Sequence, residues 1–185
     1  MLRHLPNSIC LLRIILTIPI VIAINHRIYV LALVLFSLAA ISDGLDGYLA
    51  KRHGWTSNVG RILDPIADKI LLVTTFLACT WQGLVPVWLA VAVVARDVML
   101  GGGASIHRIW FGPIVRSPSV LSKVNTVLQI AVIIVGILGA AISSLPKVIV
   151  VTLSAIALVT TVVSGLDYVR RSSLEAWVRL AAPGA

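Results

Sequence analysis

Residues 29–81 read YVLALVLFSLAAISDGLDGYLAKRHGWTSNVGRILDPIADKILLVTTFLACTW. Two apolar runs flank a window from Ser42 to Lys69. That window holds Asp43, Asp46, Asp64 and Asp68, four of the seven acidic residues in the 185-residue chain. The pairs are spaced i, i+3 and i, i+4, so on two helices each pair presents its carboxylates on one face. Two such faces brought together make an oxygen-rich cage for a hard divalent cation.

The surroundings of that window decide the fold class. The chain is 59% hydrophobic with a mean hydropathy of +1.04, the composition of an integral membrane protein. Carboxylates within membrane helices cost roughly 2.5–3.5 kcal/mol each, about 10 kcal/mol for four, unless cations neutralise them. They are therefore expected to be functional. In all, apolar runs cover Ser8–Ile24, Tyr29–Ala50, Val59–Trp81, Pro86–Ile106, Val120–Ala141 and Lys147–Tyr168. Each has the ~20-residue length that crosses a bilayer core as helix, which predicts an all-α polytopic membrane protein of six transmembrane helices in one domain, residues 1–185. The connections are short, and Arg108–Pro118 is the one stretch long enough for an ordered surface loop.

Cation placement predicts the orientation. With the N-terminus in the cytoplasm, Arg3, Arg13, Lys51, Arg52, Arg61, Lys69, Arg108, Arg116, Lys123, Arg170, Arg171 and Arg179 fall on the cytoplasmic side, and only Arg27 and Lys147 fall opposite. This follows the positive-inside rule and puts the acidic window at the cytoplasmic ends of helices two and three. Anionic headgroups account for much of the net charge of +8, and cations near the carboxylates suit a phosphate-bearing substrate. The basic residues form no soluble face, which argues against nucleic acid as a partner.

Other features read as structural. Met1–Ile24 has a basic start and an apolar middle but no small-residue cleavage site, so it is expected to remain as a first helix. Cys10 and Cys79 form no CxxC pair and the four histidines are dispersed. Trp55, Trp81, Trp88, Trp110 and Trp177 fall mostly near predicted interfaces as bilayer anchors. Within the acidic window Gly54, Thr56, Ser57 and Asn58 form a turn, and Gly47 and Gly60 lack side chains beside the carboxylates, where a ligand can approach the backbone.

The pattern Asp43, two residues, Asp46-Gly47, two residues, Ala50, then Gly60, three residues, Asp64, three residues, Asp68 resembles the signature of the CDP-alcohol phosphatidyltransferases. The resemblance runs from LPNSICLLRIILTIP, residues 5–19, to the sixth helix. It implies two divalent cations, Mg²⁺ or Mn²⁺, held by Asp43, Asp46 and Asp64 and shared with Asp68, gripping the diphosphate of a CDP-linked lipid. Asp68 matches the general base, which takes the proton of an acceptor hydroxyl as that oxygen attacks the β-phosphorus and CMP leaves. Gly47, Ala50, Ser57 and Gly60 match nucleotide-contacting or signature positions, Lys51 the phosphate contact, and Asn7 lies before helix one within reach of the same pocket. The family usually has arginine after the alanine. Here Lys51 stands first and Arg52 second, so either can hold the phosphate.

The acceptor is read from the second half. Arg96-Asp97-Val98-Met99-Leu100, and Pro118 to Thr126 opening helix five, resemble the eukaryotic-type cardiolipin synthases of this superfamily. Related phosphatidylglycerophosphate synthases tend to show glycine-lysine-x-lysine-threonine where this chain has Ser122-Lys123-Val124-Asn125-Thr126. One lysine fewer fits phosphatidylglycerol as the acceptor, with Arg96, Asp97, Arg116, Lys123 and Asn125 around it, and glycerol 3-phosphate as the alternative. A cation or proton transporter is the rival from another class, but it calls for acids spread through the bilayer depth. A homodimer is expected from the resemblance. The lack of a long presequence points to a bacterial inner membrane.

Overall fold

Each apolar run becomes a helix: α1 (Leu5–Asn25), α2 (Tyr29–His53), α3 (Gly60–Trp81), α4 (Val87–Phe111), α5 (Val120–Ile142) and α6 (Lys147–Ala181). The computed structural model describes residues 5–53, 60–111, 119–142 and 145–181, with side chains at 12–42, 66–103, 119–142 and 145–174. No strand occurs among the described residues. By length and composition, Val120–Ile142 and Lys147–Leu174 suffice to cross a membrane, and Leu12–Asn25 and Tyr29–Ser42 are shorter apolar helices. Outward-facing Ile15, Ile18, Val30, Leu38, Val127 and Val159 are all exposed, a surface suited to hydrocarbon rather than water.

Two helices outrun their hydropathy. α4 continues through Phe111 because no glycine or proline stands between Ile106 and Gly112-Pro113, so the expected Arg108–Pro118 loop is helical in its first part. Its remainder, 112–118, and the expected turn at Gly54–Asn58 lie outside the described residues. α6 has 35 residues, about 52 Å of helix against a ~30 Å hydrocarbon core. Residues 166–182 hold no breaker, and Arg171 Nε donates to Asp167 Oδ1 at 2.8 Å one turn back.

The chain divides into two units, residues 1–85 with 133–150, and residues 86–132 with 151–185. In the first, α1 packs against both α2 and α3. Ile20 and Ile24 of α1, Phe36 and Ala39 of α2, and Ala67, Leu71 and Phe76 of α3 fill the core. Gly136 lets α5 lie close to the α3–α4 turn, since a methyl there would meet the Leu84 carbonyl oxygen at 3.2 Å.

Two turns of this unit share one design. After α1, Arg27 takes a left-handed φ of 60°, its N–H donates to Ile24 O at 3.0 Å, and Ile28 N–H donates to Ala23 O at 2.8 Å. After α3, Gly83 has φ 71°, with Gly83 N–H to Thr80 O at 3.0 Å and Leu84 N–H to Cys79 O at 2.9 Å. Both are Schellman caps, which satisfy the last helical carbonyls. Gln82 Nε2 donates to Asn25 O at 3.2 Å, tying the two together.

In the second unit α4 and α6 approach through glycine. A methyl at Gly103 would stand 3.1 Å from the Tyr168 ring, and one at Gly165 3.1 Å from Met99 Cε. Small residues permit such contacts where helices have no hydrophobic drive to associate. Ser119 caps α5, its Oγ accepting from Ser122 N–H at 3.2 Å.

Candidate active site

Asp43 and Asp46 both lie in α2, and Asp64 and Asp68 both lie in α3, so the helical spacing that aligns each pair on one face holds in the structure. In α3, Leu72 follows Asp68 by four residues and Thr75 by seven, and both are buried. A quartet of carboxylates is a hard-oxygen donor set that fits Mg²⁺ or Mn²⁺ and offers zinc none of its preferred nitrogen or sulfur ligands. Of the four, Asp68 is the one whose side chain is described, and no group of three metal-ligating side chains occurs among the described residues.

Asp68 is held by a residue that sequence reasoning had counted as a topological charge. Arg13 Nη1 of α1 donates to Asp68 Oδ1 of α3. The arginine side chain is 2% exposed and the carboxylate 44%. A buried guanidinium is costly unless matched by an anion, and Asp68 supplies one. The other oxygen, Oδ2, accepts no hydrogen bond among the described residues. The signal for Arg13 was its register, because it stands four, seven and eleven residues before Thr17, Ile20 and Ile24, all buried. Thr17 Oγ1 donates to Arg13 O at 2.9 Å, which keeps the hydroxyl satisfied within the helix.

The second unit carries its own polar cluster. Arg96 of α4 is buried, with Nη1 donating to Asp97 Oδ1 at 2.8 Å and Nη2 donating to Ser122 Oγ at 2.6 Å and Ser164 Oγ at 3.1 Å. Adjacent helical residues point about 100° apart, yet the long arginine folds back onto its neighbour. One turn further along α5, Asn125 is fully buried and its Oδ1 lies 2.9 Å from the Thr160 hydroxyl and 2.8 Å from that of Thr161. Both hydroxyls also reach Ala157 O, so each shares its one proton. The Lys123 side chain is exposed and makes no hydrogen bond or ion pair among the described residues, while its backbone N–H donates to Ser119 O at 3.2 Å.

The structure thus joins Arg96 to Asp97, seats Asn125 separately and leaves Lys123 apart from both. Ser164, Thr160 and Thr161 went unnoticed in the sequence, although with Ser154 and Ala157 they mark one face of α6 opposite the polar stripe Ser122, Asn125, Thr126 and Gln129 of α5. Asn7, Asp43, Asp46, Gly47, Ala50, Lys51, Gly60 and Asp64 have helical backbone, while their side chains, and the whole of Ser57 and Arg116, lie outside the described residues.

Comparison with known proteins places this geometry in context. The family described as CDP-alcohol phosphatidyltransferase matches residues 3–164. A cardiolipin synthase (CMP-forming) of Streptomyces coelicolor is 42% identical over 69 residues, covering 37% of this chain and 32% of the relative. The cardiolipin synthase (CMP-forming) of Homo sapiens is 32% identical over 147 residues, 70% of this chain and 48% of the relative. A CDP-diacylglycerol–glycerol-3-phosphate 3-phosphatidyltransferase of Aquifex aeolicus is 29% identical over 170 residues, 89% of this chain and 93% of the relative. The chain therefore spans less than half the length of the cardiolipin synthases it matches.

Proposed function

Because the chain belongs to the CDP-alcohol phosphatidyltransferase family, we propose that it transfers the phosphatidyl group of CDP-diacylglycerol to phosphatidylglycerol, giving cardiolipin and CMP. The observation that carries this choice of acceptor is Asn125, a neutral amide fully buried among threonines at the position where sister enzymes tend to place a lysine. A pocket with less positive charge suits a phosphodiester better than the nearly dianionic monoester of glycerol 3-phosphate. Similarity to the cardiolipin synthases supports the same reading. The near full-length match to the Aquifex enzyme favours glycerol 3-phosphate as the second reading. Mass-spectrometric identification of the product formed from labelled CDP-diacylglycerol and an equal mixture of the two acceptors tests the choice.

In this reading Asp68 receives the proton of the acceptor hydroxyl through Oδ2, while Arg13 fixes Oδ1 and so orients the carboxylate. The acceptor oxygen forms a bond to the β-phosphorus, the bond from that phosphorus to the CMP oxygen breaks, and CMP departs. Asp43, Asp46 and Asp64, with Asp68, would hold two Mg²⁺ or Mn²⁺ ions. When bound, these ions neutralise the diphosphate and stabilise the leaving phosphate. Lys51 binds the diphosphate as a point charge, and Asn7, Gly47, Ala50, Ser57 and Gly60 receive the nucleotide. Arg96, Asp97, Arg116, Lys123 and Asn125 serve the acceptor, Asn125 through the shape and neutrality it confers. All six helices span the membrane, a bacterial inner membrane with the carboxylates on the cytoplasmic side, and the working unit is a homodimer.

A further inference from the structure

The second unit carries a groove of about 970 Å³ between the start of α5 and the stretch of α6 from Val163 to Arg171. Val120, Val163 and Leu166 form its apolar wall, and all three are exposed. Arg170, Arg171 and Ser119 stand at its polar end. None of these residues belongs to the metal, nucleotide or acceptor assignments above. We propose that this groove binds an anionic phospholipid, with its phosphodiester at Arg170 and Arg171 and its acyl chains along Val120, Val163 and Leu166.

Charge complementarity identifies the occupant. Arg171 Nε is paired with Asp167 Oδ1, which also lines the groove, so that pair is neutral as a whole and leaves the terminal nitrogens of Arg171 as donors. The Arg170 side chain is exposed and makes no hydrogen bond or ion pair among the described residues. The polar end thus carries one uncompensated positive charge, the match for the single negative charge of a phosphodiester. A zwitterionic lipid would bring its own cation against Arg170. The Ser119 oxygen accepts from Ser122 N–H, which leaves the hydroxyl proton to donate to a phosphate oxygen. The apolar wall directly beneath the arginines suits acyl chains, which always accompany a lipid phosphate.

The test uses the full chain in nonionic detergent, titrated with dioleoyl phosphatidylmethanol and followed by native mass spectrometry. This lipid has the phosphodiester but no acceptor hydroxyl, so binding is read apart from turnover. Phosphatidylmethanol adducts are expected in preference to phosphatidylcholine adducts. Arg170→Gln should weaken them about fivefold and Arg170→Gln/Arg171→Gln further, with turnover of the proposed reaction in neutral detergent unchanged. Equal binding of phosphatidylcholine, or unchanged affinity in the double variant, overturns the proposal. So does displacement of the lipid by millimolar inorganic phosphate, which would mark a headgroup-only anion site. A chain dimer that the double variant dissociates while lipid adducts persist would assign the face to a second copy instead.

Discussion

Arg13 of α1 donates a hydrogen bond to Asp68 of α3, pairing a guanidinium that is 2% exposed with a carboxylate that is 44% exposed. The buried partner is fixed by its surroundings and the exposed one is not, so the arginine orients the acid. Replacing Arg13 by methionine keeps the volume apolar and leaves a carboxylate that solvent can reach, a change the fold should tolerate. Turnover should fall about 10–100-fold with little change in KM for CDP-diacylglycerol, and Arg13→Lys should recover part of the loss. Steady-state kinetics of the three proteins check it, and an unaltered kcat in Arg13→Met would remove Arg13 from that role.

The same pair separates two substitutions of Asp68. Asp68→Asn retains an oxygen for Arg13 and should keep substrate binding while losing about 10²–10⁴-fold in turnover. Asp68→Ala also removes an anion from beside a buried guanidinium. It should cost about 1–3 kcal/mol of stability, toward the lower end because the carboxylate is half in solvent. Thermal unfolding in detergent, set beside the assay, distinguishes them.

Metal dependence rests on the four carboxylates of α2 and α3. Activity should disappear in excess chelator and return with Mg²⁺ or Mn²⁺. Asp43→Ala, Asp46→Ala and Asp64→Ala should each lose metal-dependent nucleotide binding, measured by calorimetry without turnover. Full activity in excess EDTA would contradict the site.

At the diphosphate, Lys51→Ala should raise KM for CDP-diacylglycerol, with Lys51→Arg tolerated and Arg52→Ala nearly silent. If Arg52→Ala is the more damaging change, the phosphate contact belongs to position 52.

The two Schellman caps give a stability test independent of chemistry. Gly83→Ala should destabilise by about 1–2 kcal/mol, because a Cβ is disfavoured at its left-handed φ, and Arg27→Gly should stabilise by up to about 1 kcal/mol. Equal melting temperatures across these variants would show that the caps carry no strain.

The helices were legible because hydropathy and helix propensity agree over most of their length. They diverged where polar residues continue a helix past its apolar run, at Arg108–Phe111 and beyond Tyr168, and there the absence of glycine and proline decided the outcome. The carboxylate pairs were legible because their spacing is itself helical. Arg13 was not, since a cation near a helix end satisfies the positive-inside rule as well as it satisfies Asp68, and only the packing of α1 on α3 reveals the partner. Asn125 was placed at the acceptor from its position in a motif. Its contacts to Thr160 and Thr161 depend on a helix thirty-five residues away and could not be read locally.

The acceptor is tested most directly by kcat/KM, with the purified chain, labelled CDP-diacylglycerol and either phosphatidylglycerol or glycerol 3-phosphate as the sole alcohol. The account predicts cardiolipin from the first and little or no product from the second, a discrimination set by the charge of the pocket. A higher kcat/KM for glycerol 3-phosphate would contradict it and assign the chain to phosphatidylglycerophosphate synthesis.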